Sequence, residues 1–270
     1  MKPLMFGPAS RQLFGIFHPV EEGQAVQNTA VLICPPFGKE ALRAHRFFRV
    51  FAQRLARVGI ATLRFDLHGC GDSPGDEIQG ELDGWRRDIG AAHDELRRLR
   101  PDANIVWVGA RLGGTLAVLA ARNGRCDPVR LVLWEPVVDG LRYGRLLRDK
   151  HVAAIDASFC IPNLSLRRSV QLGNELPAEA LGTSLSPALR AQLRALTADA
   201  LPLTALYQTL VLSLPTDDPC AQWAAAQQLR HMPVKLTYFQ HAMDWTSDPY
   251  PNQALVPAEA LSRLQSALHE

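Results

Sequence analysis

The chain predicts an α/β domain on a doubly wound, mostly parallel sheet, with a helical insertion at one edge. Three observations carry this. Apolar runs and helical runs alternate as β-α-β-α-β-α-β from residue 29 to 134, an order that lays helices on both faces of a parallel sheet. The alternation lapses over 141–205 and then resumes. Finally, Val106-Trp107-Val108-Gly109-Ala110-Arg111-Leu112-Gly113-Gly114 joins a β-rich run to a helix-forming run through small residues. That is the layout of a nucleophile elbow, G-x-S-x-G, a sharp turn that lifts one residue above the sheet.

Taken in order, Pro3–Phe6 and Gln12–His18 read as a hairpin joined through Gly7-Pro8-Ala9-Ser10. Thr29–Cys34 is a short apolar strand ending in the loop Pro35-Pro36-Phe37-Gly38. Phe47, Phe48, Phe51, Leu55 and Val58 recur at helical spacing from about Arg43 until Gly59 ends the helix. Ile60–Leu67 is the next strand, followed by the Gly-rich loop His68–Gly75, in which Ser73 braces the turn. Trp85, Ile89, Ala92, Leu96 and Leu99 mark a helix at intervals of four and three, with Arg97, Arg98 and Arg100 on its solvated face. The elbow strand and helix come next, then the buried strand Val129–Trp134, closed by Glu135-Pro136. Residues 141–205 show one amphipathic segment, Ala188–Leu196, and no strand alternation, so they are expected to form a lid over the sheet's carboxyl edge. Thr209–Leu214, Pro219–Arg230, Val234–Phe239 and Pro257–His269 complete the pattern as strand, helix, strand and helix.

Length and composition agree with one domain over 1–270, the lid being an insertion within it. Hydrophobic residues make up 47% of the chain, enough for a large core, and a net charge of +2 argues against nucleic acid or an acidic membrane as partner. Five cysteines without C-x-x-C spacing give neither a disulfide framework nor a metal site, a usage that suits a reducing compartment. No apolar run reaches membrane-spanning length and no secretory leader opens the chain. The expectation is a cytoplasmic protein without membrane span, metal or cofactor.

Ligands of a parallel sheet bind beyond the carboxyl ends of its strands. Four loops fall there. Phe37 and Gly38 offer the first free amides after two prolines, and with the amide of Leu112 they could receive an oxyanion. The elbow holds Arg111. The loop after Leu214 holds Asp217 and Asp218, and Asp218 before Pro219 also suits a helix N-cap. The loop after Phe239 holds His241. Position 111, an acid and a histidine thus follow the chain order nucleophile, acid, histidine. Arg111 breaks that pattern, because a guanidinium stays protonated and has no lone pair with which to attack. It also stands at a helix N-terminus, where the dipole disfavours a cation. It therefore needs an anion: Glu135, Asp218, or a bound carboxylate or phosphate.

Pro35-Pro36-Phe37, Asp66-Leu67-His68-Gly69-Cys70-Gly71-Asp72-Ser73, the Trp85 helix, the Gly-x-Arg-x-Gly elbow and Leu131–Val137 together resemble the α/β-hydrolase superfamily. Within it they are most similar to the second of two hydrolase-like families associated with exosortase A systems, in which Arg likewise stands in the elbow. The resemblance covers about 29–150 well and the remainder thinly. It implies the α/β-hydrolase fold and a hydrolase encoded beside exopolysaccharide and protein-sorting genes. It also leads one to expect Gln where this chain has Glu135. Two functions compete. One is an enzyme-derived protein that binds an anionic or acyl small molecule, its triad degenerate at Arg111, with at most unusual ester, thioester or amide chemistry. The other is an active hydrolase using water activated by His241 and Asp218, or a substitute nucleophile such as Cys34 or Cys70. In both, Arg111, Asp218 and His241 form the reactive set, with Phe37, Gly38, Leu112 and Glu135 against the ligand.

Overall fold

A computed structural model of the chain describes residues 1–122, 124–157, 176–204, 207–246 and 256–270. Eight strands form one sheet: β1 (Lys2–Phe6), β2 (Leu13–His18), β3 (Thr29–Cys34), β4 (Ala61–Phe65), β5 (Asn104–Ala110), β6 (Arg130–Trp134), β9 (Gln208–Ser213) and β10 (Val234–Tyr238). Their spatial order is β1-β2-β4-β3-β5-β6-β9-β10. The β1–β2 and β2–β4 pairs are antiparallel and all others parallel. The central strands are apolar because both faces are covered. Along β3, Val31 and Ile33 meet one core while Ala30, Leu32 and Cys34 meet the other, the two-residue period of a strand.

Helices α1 (Gly38–Arg57) and α7 (Ala258–Ala267) contribute to the first core through Phe47, Phe51, Leu55 and Leu264. On the other face, α2 (Leu82–Leu99), α3 (Leu112–Ala121) and α6 (Asp218–Leu229) bury Trp85, Ile89, Leu116 and Trp223. This is the doubly wound sheet of the α/β-hydrolase fold. Register then aligns the strand ends that matter. Cys34 stands opposite Gly109, Ala110 opposite Trp134, and Trp134 opposite Leu212, so the loops after β3, β5, β6 and β9 open on one edge.

Between β6 and β9, the described residues contain α4 (Gly140–Ala157), a two-stranded hairpin of β7 (Glu179–Ala180) and β8 (Thr183–Ser184), and α5 (Pro187–Ala195). None of these adds a strand to the main sheet. The Ser186 hydroxyl caps α5 by accepting from the amide of Leu189 at 2.9 Å. Helix α4 escapes a periodicity search for a physical reason. Its buried positions 140, 143, 144 and 147 have helical spacing, but two of them are glycine. At Gly140 a Cβ would stand 2.0 Å from the Leu193 carbonyl oxygen, so close packing on α5, not apolar bulk, sets that residue. Residues 158–175, part of the expected lid, lie outside the described residues. No helix among the described residues is long and apolar enough to cross a membrane.

Candidate functional site

The elbow is built by steric exclusion. β5 ends at Ala110, Arg111 takes φ 53° and ψ −127°, and α3 starts at Leu112. A Cβ at Gly113 would sit 2.3 Å from the carbonyl oxygens of both Cys34 and Pro35, so only glycine lets the turn pass under the loop after β3. A left-handed φ is costly for an arginine. The Arg111 amide holds the position by donating to the Trp134 carbonyl at 2.9 Å. One strand over, Glu135 repeats the device: its φ is 47° and its amide donates to Leu212 at 2.8 Å. Two strained residues on neighbouring strands thus turn their side chains toward one place.

There Arg111 meets two carboxylates. Its Nε donates to Glu40 Oε1 at 2.9 Å, its Nη1 lies 3.6 Å from Glu135 Oε2, and Nη1 also donates to the Glu135 carbonyl at 3.4 Å. Glu40 stands in the first turn of α1, where the helix dipole favours an acid, and its other oxygen accepts from the Tyr143 hydroxyl at 2.9 Å. The guanidinium carbon lies 5.8 Å from the Tyr143 ring centre and 5.9 Å from that of Trp245. A buried cation at a helix N-terminus is tolerable only with such partners. Burial by itself would lower the Arg111 pKa, but Glu40 and Glu135 outweigh it and raise it. Burial raises Glu40, and Arg111 and Tyr143 offset this only in part.

Glu135 is also the partner of His241. Glu135 Oε1 is 2.6 Å from His241 Nε2 and accepts from the Trp245 indole at 3.1 Å. The other ring nitrogen, Nδ1, accepts from the Met243 amide at 3.1 Å. Protein groups therefore occupy both ring nitrogens. The Trp134 indole N–H also donates to Nε2, at 3.1 Å, its ring edge-on to the imidazole. Burial would raise the Glu135 pKa, yet the bonds from His241 and Trp245 and the charge of Arg111 leave it below the usual carboxylate range. Above these groups opens a cavity of about 500 Å³, lined by Arg111, Glu135 and His241 at its base and by Val137, Tyr143 and Met243 among its walls.

The serine aminopeptidase S33 family model matches residues 27–213, well over half of the chain. The chain belongs to that family. No curated protein sequence matches it. Solved structures share the S33 chain's architecture. Est1E from Butyrivibrio proteoclasticus, solved with ferulic acid bound, superposes with a TM-score of 0.64 at 16% identity, over 98% of this chain and 96% of its own. An esterase from Pyrococcus furiosus gives 0.62 at 15%, over 99% and 89%. Proline iminopeptidase from Mycobacterium smegmatis gives 0.62 at 14%, over 99% and 98%. At these identities the likeness is one of fold.

The residues expected from sequence are only partly gathered in this S33 protein. Arg111, Glu135 and His241 stand together. Asp218 is exposed in the first turn of α6 and has no hydrogen bond or ion pair among the described residues. The cap position belongs to Asp217, whose side chain makes no capping bond and instead accepts from Arg142 at 2.8 Å. His241 therefore takes its acid from the end of β6 and not from the loop after β9. The Phe37 ring packs on Trp85 with centres 5.0 Å apart, Gly38 faces Thr183, and Leu112 is fully buried; none of the three lines the cavity. Ser73 accepts from the Phe14 amide at 2.9 Å and donates to the Asp66 carbonyl at 2.6 Å, bracing its turn. Burial raises the thiol pKa of Cys34, and that of Cys70 to about 12, so neither is an activated nucleophile. Tyr143, Trp134, Met243 and Trp245 had no signal that singled them out. For Glu40 there was a usable one: an acid in the first turn of a helix that starts at Gly38, five residues earlier than the apolar spacing indicates.

Proposed function

We propose that this S33-family chain is an enzyme-derived protein that binds an acyl or anionic small molecule in the 500 Å³ cavity without serine-type hydrolysis. The observation that carries the proposal is the double engagement of Arg111 by Glu40 and Glu135 at the position of the missing nucleophile. A residue so held neither attacks nor moves aside. His241 adds support. With Nδ1 taken by the Met243 amide and Nε2 by Glu135 and the Trp134 indole, neither ring nitrogen is open to a water. The cavity has a volume typical of small-molecule sites. Its apolar lining, Val137, Val138, Leu214 and Met243, suits an acyl body, and Lys150 on α4, which has no ion pair among the described residues, suits an anionic end.

Residues 141–205 act in this proposal as the lid, with α4 carrying Tyr143, Leu146 and Lys150 to the ligand. Within the superfamily we assign the chain to the exosortase A-associated group on the strength of its arginine elbow, and to the cytoplasm on its cysteine usage. A fluorophosphonate probe tests the central claim. Intact mass should be unchanged after exposure, whereas a stoichiometric adduct on any serine beside the cavity refutes it.

A further inference from the structure

Glu135 does more than balance Arg111. Of its two oxygens, Oε1 takes the contacts to His241 and Trp245, while Oε2 receives no hydrogen bond among the described residues and lies 3.6 Å from Arg111 Nη1. Oε2 is not sealed, since no Glu135 atom is among the buried polar atoms that lack a hydrogen bond. The same holds for Arg111 Nη2, which has no hydrogen-bond partner among the described residues. Glu40 differs. It is fully buried, with one oxygen bound to Arg111 and the other to Tyr143. One carboxylate is thus locked, and the other offers a fixed free oxygen beside a guanidinium donor at the cavity.

We infer that Glu135 is a general base that removes a proton from a carbon next to a carbonyl, with Arg111 receiving the enolate oxygen. This rests on the proposal that the cavity takes an acyl molecule, and adds what happens to it there. Oε2 takes the proton, the C–H electron pair forms the C=C bond, and the carbonyl π pair moves onto oxygen. Return of the proton to carbon completes an exchange or an isomerisation, and no further reactant is needed. The charges fit this step. Arg111 faces two negative groups before proton transfer, Glu40 and Glu135, and two after it, Glu40 and the enolate. The developing charge is met without importing a counter-ion, by a guanidinium already fixed at the site. His241 and Trp245 hold the base in place, and His241 is here a positioning residue.

The test uses 5-nitrobenzisoxazole, whose ring opens when a base removes its C–H proton; the N–O bond breaks and a coloured cyanophenolate leaves. No natural ligand is required, so the result is independent of fluorophosphonate inertness. The wild-type protein should exceed Glu135→Gln in kcat/KM by roughly a hundredfold, the low end for a positioned general base. Glu135→Asp, which keeps the charge but withdraws the oxygen, should also lose most of the rate. Equal rates for wild type and folded Glu135→Gln overturn the inference. A second measurement needs no variant. An aryl glycidyl ether should esterify Glu135 as its epoxide C–O bond opens and the alkoxide takes a proton from water. Peptide mapping that finds surface carboxylates modified and Glu135 untouched also overturns it.

Discussion

Arg111 Nε and Glu40 Oε1 stand 2.9 Å apart, joining the elbow to the first turn of α1 across 71 positions of sequence. The contact replaces what a nucleophile would do with a purely structural bond. Removing one member of a buried pair costs about 3–5 kcal/mol, because the other is left charged and dry. Glu40→Ala should fall near the low end of that range, since Glu135 still faces Arg111. Glu40→Gln should lose less, because its amide oxygen can still accept from Arg111 or Tyr143. Urea denaturation of both variants measures this, and a Glu40→Ala midpoint equal to wild type contradicts it.

Arg111→Ser is expected to destabilise the fold by leaving Glu40 and Glu135 close together without their cation. It should not create a reactive serine. Both His241 ring nitrogens are taken, by Met243 and by Glu135 with Trp134, so no base is free to accept a proton from a hydroxyl. Thermal melts should show the loss and a fluorophosphonate should still leave no adduct. Rapid labelling at position 111 in the single variant contradicts this.

Glu135 also leaves a signature in acid. Its folded pKa is lowered, so its stabilisation is complete above the ordinary glutamate value and disappears as pH falls through the folded one. Wild type should therefore melt higher than Glu135→Gln at neutral pH, with the gap closing toward acid. A gap that stays constant down to pH 3 would mean that the charge of Glu135 contributes nothing.

His18 gives a separate prediction at the far side of the sheet. It is 2% exposed, accepts from Arg64 Nε at 3.2 Å, and burial followed by the charge of Arg64 lowers its pKa from 6.5 to about 4. The folded protein resists protonating it, so stability should fall as pH drops from 6.5 toward 4. In His18→Gln, which keeps an acceptor for Arg64, that part of the pH slope should be flatter. Parallel denaturation series at several pH values decide it.

Most of the architecture was legible in the chain because it rests on local regularities. The run Thr29–Cys34 had to be a buried strand, and the glycines around Arg111 had to be an elbow whatever residue stood between them. The site was less legible. Arg111 announced a need for an anion, and Glu135 was one of the candidates. Glu40 was hidden because the hydrophobic spacing of α1 begins only after its first turn. Asp218 drew attention through chain order, yet the acid that reaches His241 comes from β6, a choice made by the left-handed backbone at Glu135. Tyr143 lay in a helix whose buried glycines removed the apolar pattern.

Trp245 borders the cavity and donates its indole N–H to Glu135. The chain has five tryptophans, and Trp85, Trp107, Trp134 and Trp223 do not line that space. Indole emission responds to the charge and polarity at its nitrogen, so whatever enters should change the emission of Trp245, and of Trp134 packed 4.7 Å from it, against three more remote indoles. A compound library could therefore be screened by intrinsic fluorescence alone, with no substrate known and no label attached. Trp245→Phe, which removes the signal while keeping the ring, is the matched control.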